Sequence, residues 1–169
     1  MKKSYAIISD IHGNLLALLA VMKNIRARGI DTIINLGDHF FGALEPEGVA
    51  EVLRQNPMLS IRGNTDREIL ESIGIIAKKD QMERVKSELC AESINWLKQL
   101  PLTLTVDDLI FACHGTPESD DAYLLEKVTA NGVFVYNDEE LIEKTKHVKQ
   151  RIILCGHSHV NRVVYLSND

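Results

Sequence analysis

The stretch Ala6-Ile7-Ile8-Ser9-Asp10-Ile11-His12-Gly13-Asn14 decides how the rest of the chain is interpreted. Its short apolar run predicts a buried strand, and the polar residues that follow lie where that strand ends. Asp10 and His12 are two residues apart, so on an extended backbone both side chains point the same way and one cation can take both. By itself, Asp-x-His also fits a strand-end turn with a capping aspartate. The remaining sequence separates these two interpretations.

Four further apolar runs end in the same way, each followed by a side chain that can bind a metal ion. Thr32–Leu36 precedes Asp38, Leu59–Ile61 precedes Asn64, Leu109–Ala112 precedes His114, and Ile152–Leu154 precedes His157 and His159. Taken singly, Gly-Asp and Gly-Asn are typical of turns, and a lone histidine is typical of a packed core. The clusters recur at successive strand ends, however, where loops bring distant residues together. We therefore predict a two-metal hydrolytic centre.

Helical spacing alternates with these strands and predicts an α/β fold. Apolar residues recur between Leu15 and Ile25, with Asn14 placed to cap the helix and Gly29 to end it. The other predicted helices are Pro46–Gln55, residues 80–100 with a break near 87–93, and residues 138–150. Further strands are predicted at Leu102–Val106, joined to the next strand by a tight Asp107-Asp108 turn, at Arg151–Leu154 and at Asn161–Leu166. Gly63-Asn64-Thr65-Asp66 is predicted to be a turn.

Length and composition indicate one globular domain over residues 1–169, with 45% hydrophobic and 25% charged residues. The net charge of −5 argues against a nucleic-acid groove. A small anionic substrate still fits, because two divalent cations against two carboxylates leave a local charge of about +2. The apolar run near the N-terminus is too short for a signal peptide, and no membrane segment is expected. Three cysteines are an odd number, so reduced thiols in the cytoplasm are the expected state.

These motifs resemble the calcineurin-like metallophosphoesterase superfamily, and within it the small bacterial and archaeal phosphodiesterase-like members. The resemblance rests on five motifs that span nearly the whole chain: Ser9-Asp10-Ile11-His12-Gly13-Asn14, Gly37-Asp38 with Gly42, Arg62-Gly63-Asn64-Thr65-Asp66, Cys113-His114-Gly115-Thr116 and Gly156-His157-Ser158-His159. It implies a layered α/β(β)α sandwich with mixed sheets. It also implies one metal held by Asp10, His12, Asp38 and His159, and a second held by Asp38, Asn64, His114 and His157, with Asp38 bridging them.

The resemblance implies a metal-dependent phosphoesterase that hydrolyses a small phosphodiester by attack of a metal-bridging hydroxide. Two cations about 3.5–4 Å apart can activate a water and clamp the phosphoryl oxygens. Imidazole and carboxylate ligands suit Mn²⁺, which the resemblance favours, and also Fe, Zn²⁺, Ni²⁺, Co²⁺ or Mg²⁺. Phosphomonoesters, phosphoproteins and dinucleoside polyphosphates remain alternative substrates, and a low-activity interaction module that retains the fold is a further alternative. The oligomeric state is left open.

Two departures from the family pattern affect these expectations. Many members carry His directly after the metal-binding Asn, whereas this chain has Thr65, so efficient turnover is expected only for good leaving groups. With Asn64, the residues Asp66, Arg67 and His39 are candidates for catalysis or substrate contact, although each also fits a surface or turn position. Relatives continue past the paired histidines into another strand and turn, so the last sheet is expected to be incomplete. The acidic run Glu118, Asp120 and Asp121 is expected to overhang the site as a solvated loop or a lid.

Overall fold

The first half of the chain forms a parallel sheet with helices between its strands. The structure is a computed structural model that describes residues 3–42, 44–75 and 80–166. Its first five elements are β1 (Tyr5–Ile8), α1 (Leu15–Ala27), β2 (Thr32–Asn35), α2 (Pro46–Gln55) and β3 (Leu59–Ser60). β1 pairs with β2 and β2 with β3, both in parallel. The predicted βαβαβ order is confirmed.

Local capping explains where α1 begins and ends. The side chain of Asn14 accepts a hydrogen bond from the backbone N–H of Ala17 at 3.1 Å, which satisfies one of the free donors at the helix start. Two residues beyond the end, Gly29 adopts a positive φ of 65°, a conformation that glycine tolerates best. Both capping predictions are confirmed.

Three helices follow β3, namely α3 (Asn64–Glu71), α4 (Asp80–Glu88) and α5 (Ala91–Gln99). The predicted break in the helical stretch falls at residues 89–90. Helix α3 was not predicted. Its first residues were predicted to form a turn, and in the structure they form the N-terminus of the helix. Among the described residues, no helix is long and apolar enough to cross a bilayer.

A second, mixed sheet faces the first. β4 (Thr103–Val106) and β5 (Ile110–Cys113) are antiparallel, and β8 (Ile152–Leu154) runs parallel to β5. Asp107 and Asp108 join β4 to β5 with φ angles of 52° and 53°, as a tight hairpin turn requires. A hairpin of β6 (Glu126–Thr129) and β7 (Gly132–Val135) and helix α6 (Asp138–Thr145) complete the fold.

Two apolar clusters hold these layers together. One lies between the helices and the parallel sheet and contains fully buried side chains such as Phe40, Val49 and Leu97. The other lies between the two sheets, where Ile34 and Ile61 of the first sheet pack with Ala112 of the second. The layered α/β architecture with two facing sheets therefore follows from apolar residues on both faces of the first sheet.

One predicted helix boundary and one predicted strand are wrong near the C-terminus. The helix predicted over 138–150 ends at Thr145, where a turn follows. The strand predicted over Asn161–Leu166 is not formed, because within the described part of the chain no neighbouring strand pairs with it. Arg162 instead places its guanidinium 3.5 Å from the Glu126 carboxylate. This segment is therefore joined to β6 through side chains rather than through a backbone ladder.

Candidate metal centre

The carboxyl ends of the strands of both sheets meet at one edge of the molecule. The backbone N–H of Asp10 donates to Gly37 O at 2.9 Å, and that of His12 donates to Asp38 O at 3.0 Å. In the second sheet, the Gly156 N–H donates to His114 O at 2.8 Å. These bonds continue the pairing of the strands into the loops, so the loops that carry the predicted ligands are fixed to one another.

Five of the predicted ligand residues adopt left-handed backbone conformations. Their φ angles are 54° at Asp10, 48° at His12, 57° at Asp38, 68° at His157 and 55° at His159. Residues other than glycine rarely adopt positive φ, and each such residue stores free energy that the surrounding structure must supply. Their concentration at one place supports a functional role for this edge.

Asp10, His12 and His159 form the first group of candidate ligands. The Nε2 atom of His159 lies 3.2 Å from Asp10 Oδ1 and 3.1 Å from His12 Nε2. His12 Nε2 lies 3.9 Å from the same carboxylate oxygen. Two ring nitrogens and a carboxylate oxygen therefore converge on one small volume, which is the arrangement that a divalent cation requires.

Asp38, His114 and His157 form the second group. His114 Nε2 lies 3.4 Å from Asp38 Oδ2 and 3.1 Å from the amide oxygen Oδ1 of Asn64. The same Asp38 oxygen is 3.7 Å from Nε2 of His12, which belongs to the first group. Asp38 Oδ2 thus lies between the two groups, where a bridging carboxylate would be.

Backbone carbonyls fix which nitrogen of each histidine can bind an ion. His12 Nδ1–H donates to Phe41 O at 2.6 Å, and His114 Nδ1–H donates to Leu36 O at 2.7 Å. Because a carbonyl only accepts, both rings carry their hydrogen on Nδ1 and keep the Nε2 lone pair for an ion. In His157 the arrangement is reversed, since Nε2–H donates to Asp121 O at 3.0 Å and leaves Nδ1 available.

The charges of Asp38 and His114 support each other. Burial raises the pKa of Asp38, but hydrogen bonds from His114 and Thr65 outweigh burial and hold the pKa below its usual value. Burial lowers the pKa of His114, but its hydrogen bond and charge interaction with Asp38 outweigh burial and raise the pKa. A cation bound here would take the place of the proton that His114 shares with Asp38, so metal binding would release protons.

A buried carboxylate oxygen that accepts no hydrogen bond supports the presence of a cation. Asp10 Oδ2 accepts hydrogen bonds from Ser9 Oγ at 2.5 Å and from the His157 N–H at 3.1 Å. Its partner Oδ1 is buried and makes no hydrogen bond within the described part of the chain. A buried carboxylate oxygen without a hydrogen-bond donor is costly, and a metal ion among the facing ring nitrogens would satisfy it. The residues of both groups therefore fit divalent cations.

Two of the predicted substrate contacts lie inside the protein. His39 and Asp66 are fully buried and bonded to each other, with His39 Nδ1 2.7 Å from Asp66 Oδ2. The Asp66 carboxylate also accepts hydrogen bonds from the backbone N–H groups of Asp38, His39 and Gly63. Its function in the structure is to hold the loop after β2, because this carboxylate faces inward.

The other two candidates occupy different positions. Asn64 begins α3 and contacts His114 in the second group. Arg67 lies one turn further along α3, and its guanidinium binds the Asp120 carboxylate through two hydrogen bonds of 2.7 and 3.1 Å. Tyr123 was not predicted to belong to the site, and its ring stacks on His157 with centroids 4.6 Å apart. No local motif distinguishes this tyrosine.

The chain belongs to the calcineurin-like phosphoesterase superfamily, whose domain model matches residues 4–166. It is 31% identical over 169 aligned positions to an uncharacterised protein of Methanocaldococcus jannaschii, covering 95% of this chain and 64% of that protein. It is also similar to the crystal structure of a metallophosphoesterase from Sphaerobacter thermophilus, with a TM-score of 0.74 and 25% identity, covering 95% of this chain and 62% of the other. The layered fold predicted from the sequence is confirmed. The chain spans less than two thirds of the length of both relatives.

Proposed function

We propose that the protein is a metal-dependent phosphoester hydrolase that acts on a small phosphodiester. The observation that carries the proposal is the position of Asp38 Oδ2, which lies 3.4 Å from His114 Nε2 and 3.7 Å from His12 Nε2. One carboxylate oxygen between two sets of neutral ring nitrogens is suited to two neighbouring cations. Asp10, His12, Asp38 and His159 would hold one ion, and Asp38, Asn64, His114 and His157 the other.

When bound, two divalent cations supply an activated water and neutralise charge on the phosphoryl group. The side chains of the protein are held in place to receive these ions. Backbone carbonyls orient the rings of His12 and His114, and Ser9 Oγ and the His157 N–H orient the Asp10 carboxylate. Preorganised groups of this kind need no rearrangement during the reaction. Mn²⁺ is our first choice of metal.

Access for a substrate is proposed on the side of His12 and His159. The side chain of His159 is 57% exposed and that of His12 is 26% exposed, whereas that of His114 is fully buried. The protein therefore encloses His114 itself, whereas Asn64 and His157 in the same half of the centre are half-buried. A phosphoester would approach the first group of ligands, which faces solvent. No side chain of Ser or Cys is assigned a nucleophilic role.

The test combines metal analysis with a substrate panel. The purified protein, loaded with Mn²⁺, is assayed on an aryl phosphodiester and on the matching aryl phosphomonoester. Asp38→Asn should lower the rate by more than about 100-fold, because even residues that only support metal ligands contribute 10–100-fold. Asp31→Asn makes the same chemical change at an exposed position and is the control. Binding of fewer than two ions, or full activity of Asp38→Asn, would refute the proposal. Faster hydrolysis of the monoester than of the diester would show that the substrate is a phosphomonoester.

A further inference from the structure

The guanidinium of Arg67 connects helix α3 to the loop of residues 115–123. Its Nε and Nη2 atoms donate to the two oxygens of Asp120 at 2.7 and 3.1 Å, a forked arrangement that matches a carboxylate. The third nitrogen, Nη1, donates to Glu71 at 3.3 Å. All three nitrogens are therefore bonded to carboxylates, and the side chain of Asp120 is only 17% exposed.

The same loop holds the ring of His157. The backbone carbonyl oxygen of Asp121, the residue after Asp120, accepts a hydrogen bond from His157 Nε2 at 3.0 Å. The ring of Tyr123 stacks on the ring of His157, with an interplanar angle of 28°. The loop therefore contacts the ring of His157 through Asp121 O and Tyr123, whereas the backbone N–H of His157 is held by the Asp10 carboxylate at 3.1 Å.

Internal bonds make this loop a compact unit. The Thr116 N–H donates to Ser119 O at 2.7 Å, and the Ser119 N–H donates to Thr116 Oγ1 at 3.0 Å. A Cβ atom at Gly115 would lie 2.6 Å from Ala122 O, so the two ends of the loop are in direct contact. A displacement at Asp120 would consequently be passed on to the neighbouring groups that hold His157.

Helix α3 supplies a ligand to the same group. Asn64 is its first residue and lies 3.1 Å from His114 Nε2 through its amide oxygen. Arg67 lies three residues later, and its backbone N–H donates to Gly63 O at 3.1 Å. Helix α3 thus presents Asn64 directly, and through Arg67 it holds the loop of residues 115–123 that contacts His157.

We propose that Arg67 is a positioning residue that, through Asp120, sets the orientation of His157 for the second metal ion. The inference rests on the proposed two-metal function. It replaces the expectation that Arg67 contacts substrate, because the guanidinium is already engaged. It also gives the acidic loop a structural role, since the Asp120 charge is paired with Arg67 rather than directed at a substrate. In this arrangement Asn64 and His157 keep a fixed separation.

The test measures binding of Mn²⁺ itself, by calorimetry and by electron paramagnetic resonance, which detects coupling between two neighbouring Mn²⁺ ions. Arg67→Ala and Asp120→Ala should each weaken one of the two ions by about 10–100-fold, the usual effect of removing a residue that supports a ligand. The other ion should bind within about twofold of the parent. Arg67→Lys keeps the charge but cannot form the fork, so an intermediate loss is expected. Glu71→Gln removes the negative charge of the exposed partner of the same guanidinium and is the control.

A double variant identifies the route of the effect. If Arg67 acts through His157, then Arg67→Ala combined with His157→Ala should bind Mn²⁺ as His157→Ala alone does, because the supported ligand is already absent. Tyr123→Leu provides a second way to loosen His157 and should weaken the same ion. Thermal melting in EDTA separates these effects from loss of folding. The proposal is overturned if Arg67→Ala binds two ions as the parent does, if both ions weaken equally, or if the double variant loses further affinity. A parent that binds no pair of ions refutes the proposed function as well.

Discussion

Replacing Asp66 by Asn tests whether this residue is a structural anchor. Its carboxylate is fully buried and accepts hydrogen bonds from Asp38 N at 2.9 Å, His39 N at 3.0 Å, His39 Nδ1 at 2.7 Å and Gly63 N at 3.0 Å. Oδ2 accepts three of these bonds and Oδ1 accepts the bond from His39 N. An Asn side chain can keep only one acceptor oxygen. In its best orientation, the amide NH₂ faces the backbone N–H of His39.

The expected loss of stability in Asp66→Asn follows from those contacts. One buried donor left without an acceptor costs about 1–3 kcal/mol, and the three remaining bonds lose the extra strength that a charged acceptor gives. The smaller cost of burying a neutral amide offsets part of this loss. We expect Asp66→Asn to lower the free energy of unfolding by about 2–4 kcal/mol. For a chain of this length, that corresponds to a fall of about 4–16 °C in the melting temperature.

The assay is thermal or urea unfolding of the metal-free protein in EDTA, so that metal binding does not contribute. Asp31→Asn, the same change at an exposed position, should stay within about 0.5 kcal/mol of the parent. A second measurement is Mn²⁺ affinity, which should fall because Asp66 holds the backbone of Asp38. Unchanged melting and metal binding, accompanied by loss of activity, would refute this reasoning and return Asp66 to the role of substrate contact.

Three further predictions concern the metal, the leaving group and the thiols. Mn²⁺ at 100 times its dissociation constant should stabilise the fold by about 2.7 kcal/mol, or about 5–11 °C in melting temperature, in a thermal scan. At one fixed Mn²⁺ concentration the gain should be larger at pH 8 than at pH 6, because the raised pKa of His114 stabilises the metal-free protein below the usual value of 6.5 and this contribution is lost as the pH rises through the folded pKa; an equal gain at both pH values would contradict this. Thr65→His should raise activity on alkyl phosphodiesters relative to aryl phosphodiesters by up to about 100-fold, as a positioned general acid does, and a constant ratio would show that Thr65 does not limit turnover. Burial raises the pKa of Cys113 to about 12 and that of Cys155 to about 11, so in EDTA at pH 8 both should react with iodoacetamide at least about 100-fold more slowly than an ordinary thiol. Labelling as fast as in urea-unfolded protein would show that the two thiols are not buried.

The ligand side chains could be predicted from the sequence because two simple patterns coincide. Apolar runs mark strands, and residues such as Asp38 or His114 directly after a run lie at the strand end whatever the details of packing. Parallel pairing then brings these ends to one edge. Nothing beyond local sequence and strand direction is needed for this step. The structure adds the hydrogen bonds that select one nitrogen of each imidazole.

The start of α3 was mistaken for a turn because the two use the same residues. Gly63-Asn64-Thr65-Asp66 satisfies the preferences of a turn and those of a helix N-terminus equally well. The following residues decide, since Ile69 is buried against the core and draws the segment into a helix. The hairpin of β6 and β7 had a usable signal in Asn131-Gly132, a dipeptide typical of hairpins, although the strand register makes Ala130 and Asn131 the turn residues and places Gly132 at the start of β7.

The pairing of Arg67 with Asp120 could not be predicted, because it joins residues 53 positions apart. An arginine after a metal-binding motif is compatible with a phosphate contact, an exposed helix position or a structural ion pair, and the local sequence is the same in all three cases. Only the fold brings the loop after His114 beside α3. The same applies to Asp66, whose inward orientation depends on the loop after β2.

The glycines next to the ligands determine how closely the loops approach. A Cβ atom on Gly63 would lie 2.1 Å from Asp38 Oδ1, and one on Gly156 would lie 2.2 Å from Ser9 Oγ and 2.9 Å from Asp10 Oδ2. Contacts below 3.0 Å force the backbone or the carboxylate to move. Alanine at Gly63 would displace the carboxylate between the two groups, and alanine at Gly156 would displace that of the first group. The glycines before Asn64 and His157 therefore let their loops approach the Asp38 and Asp10 carboxylates more closely than a residue with a Cβ atom would allow.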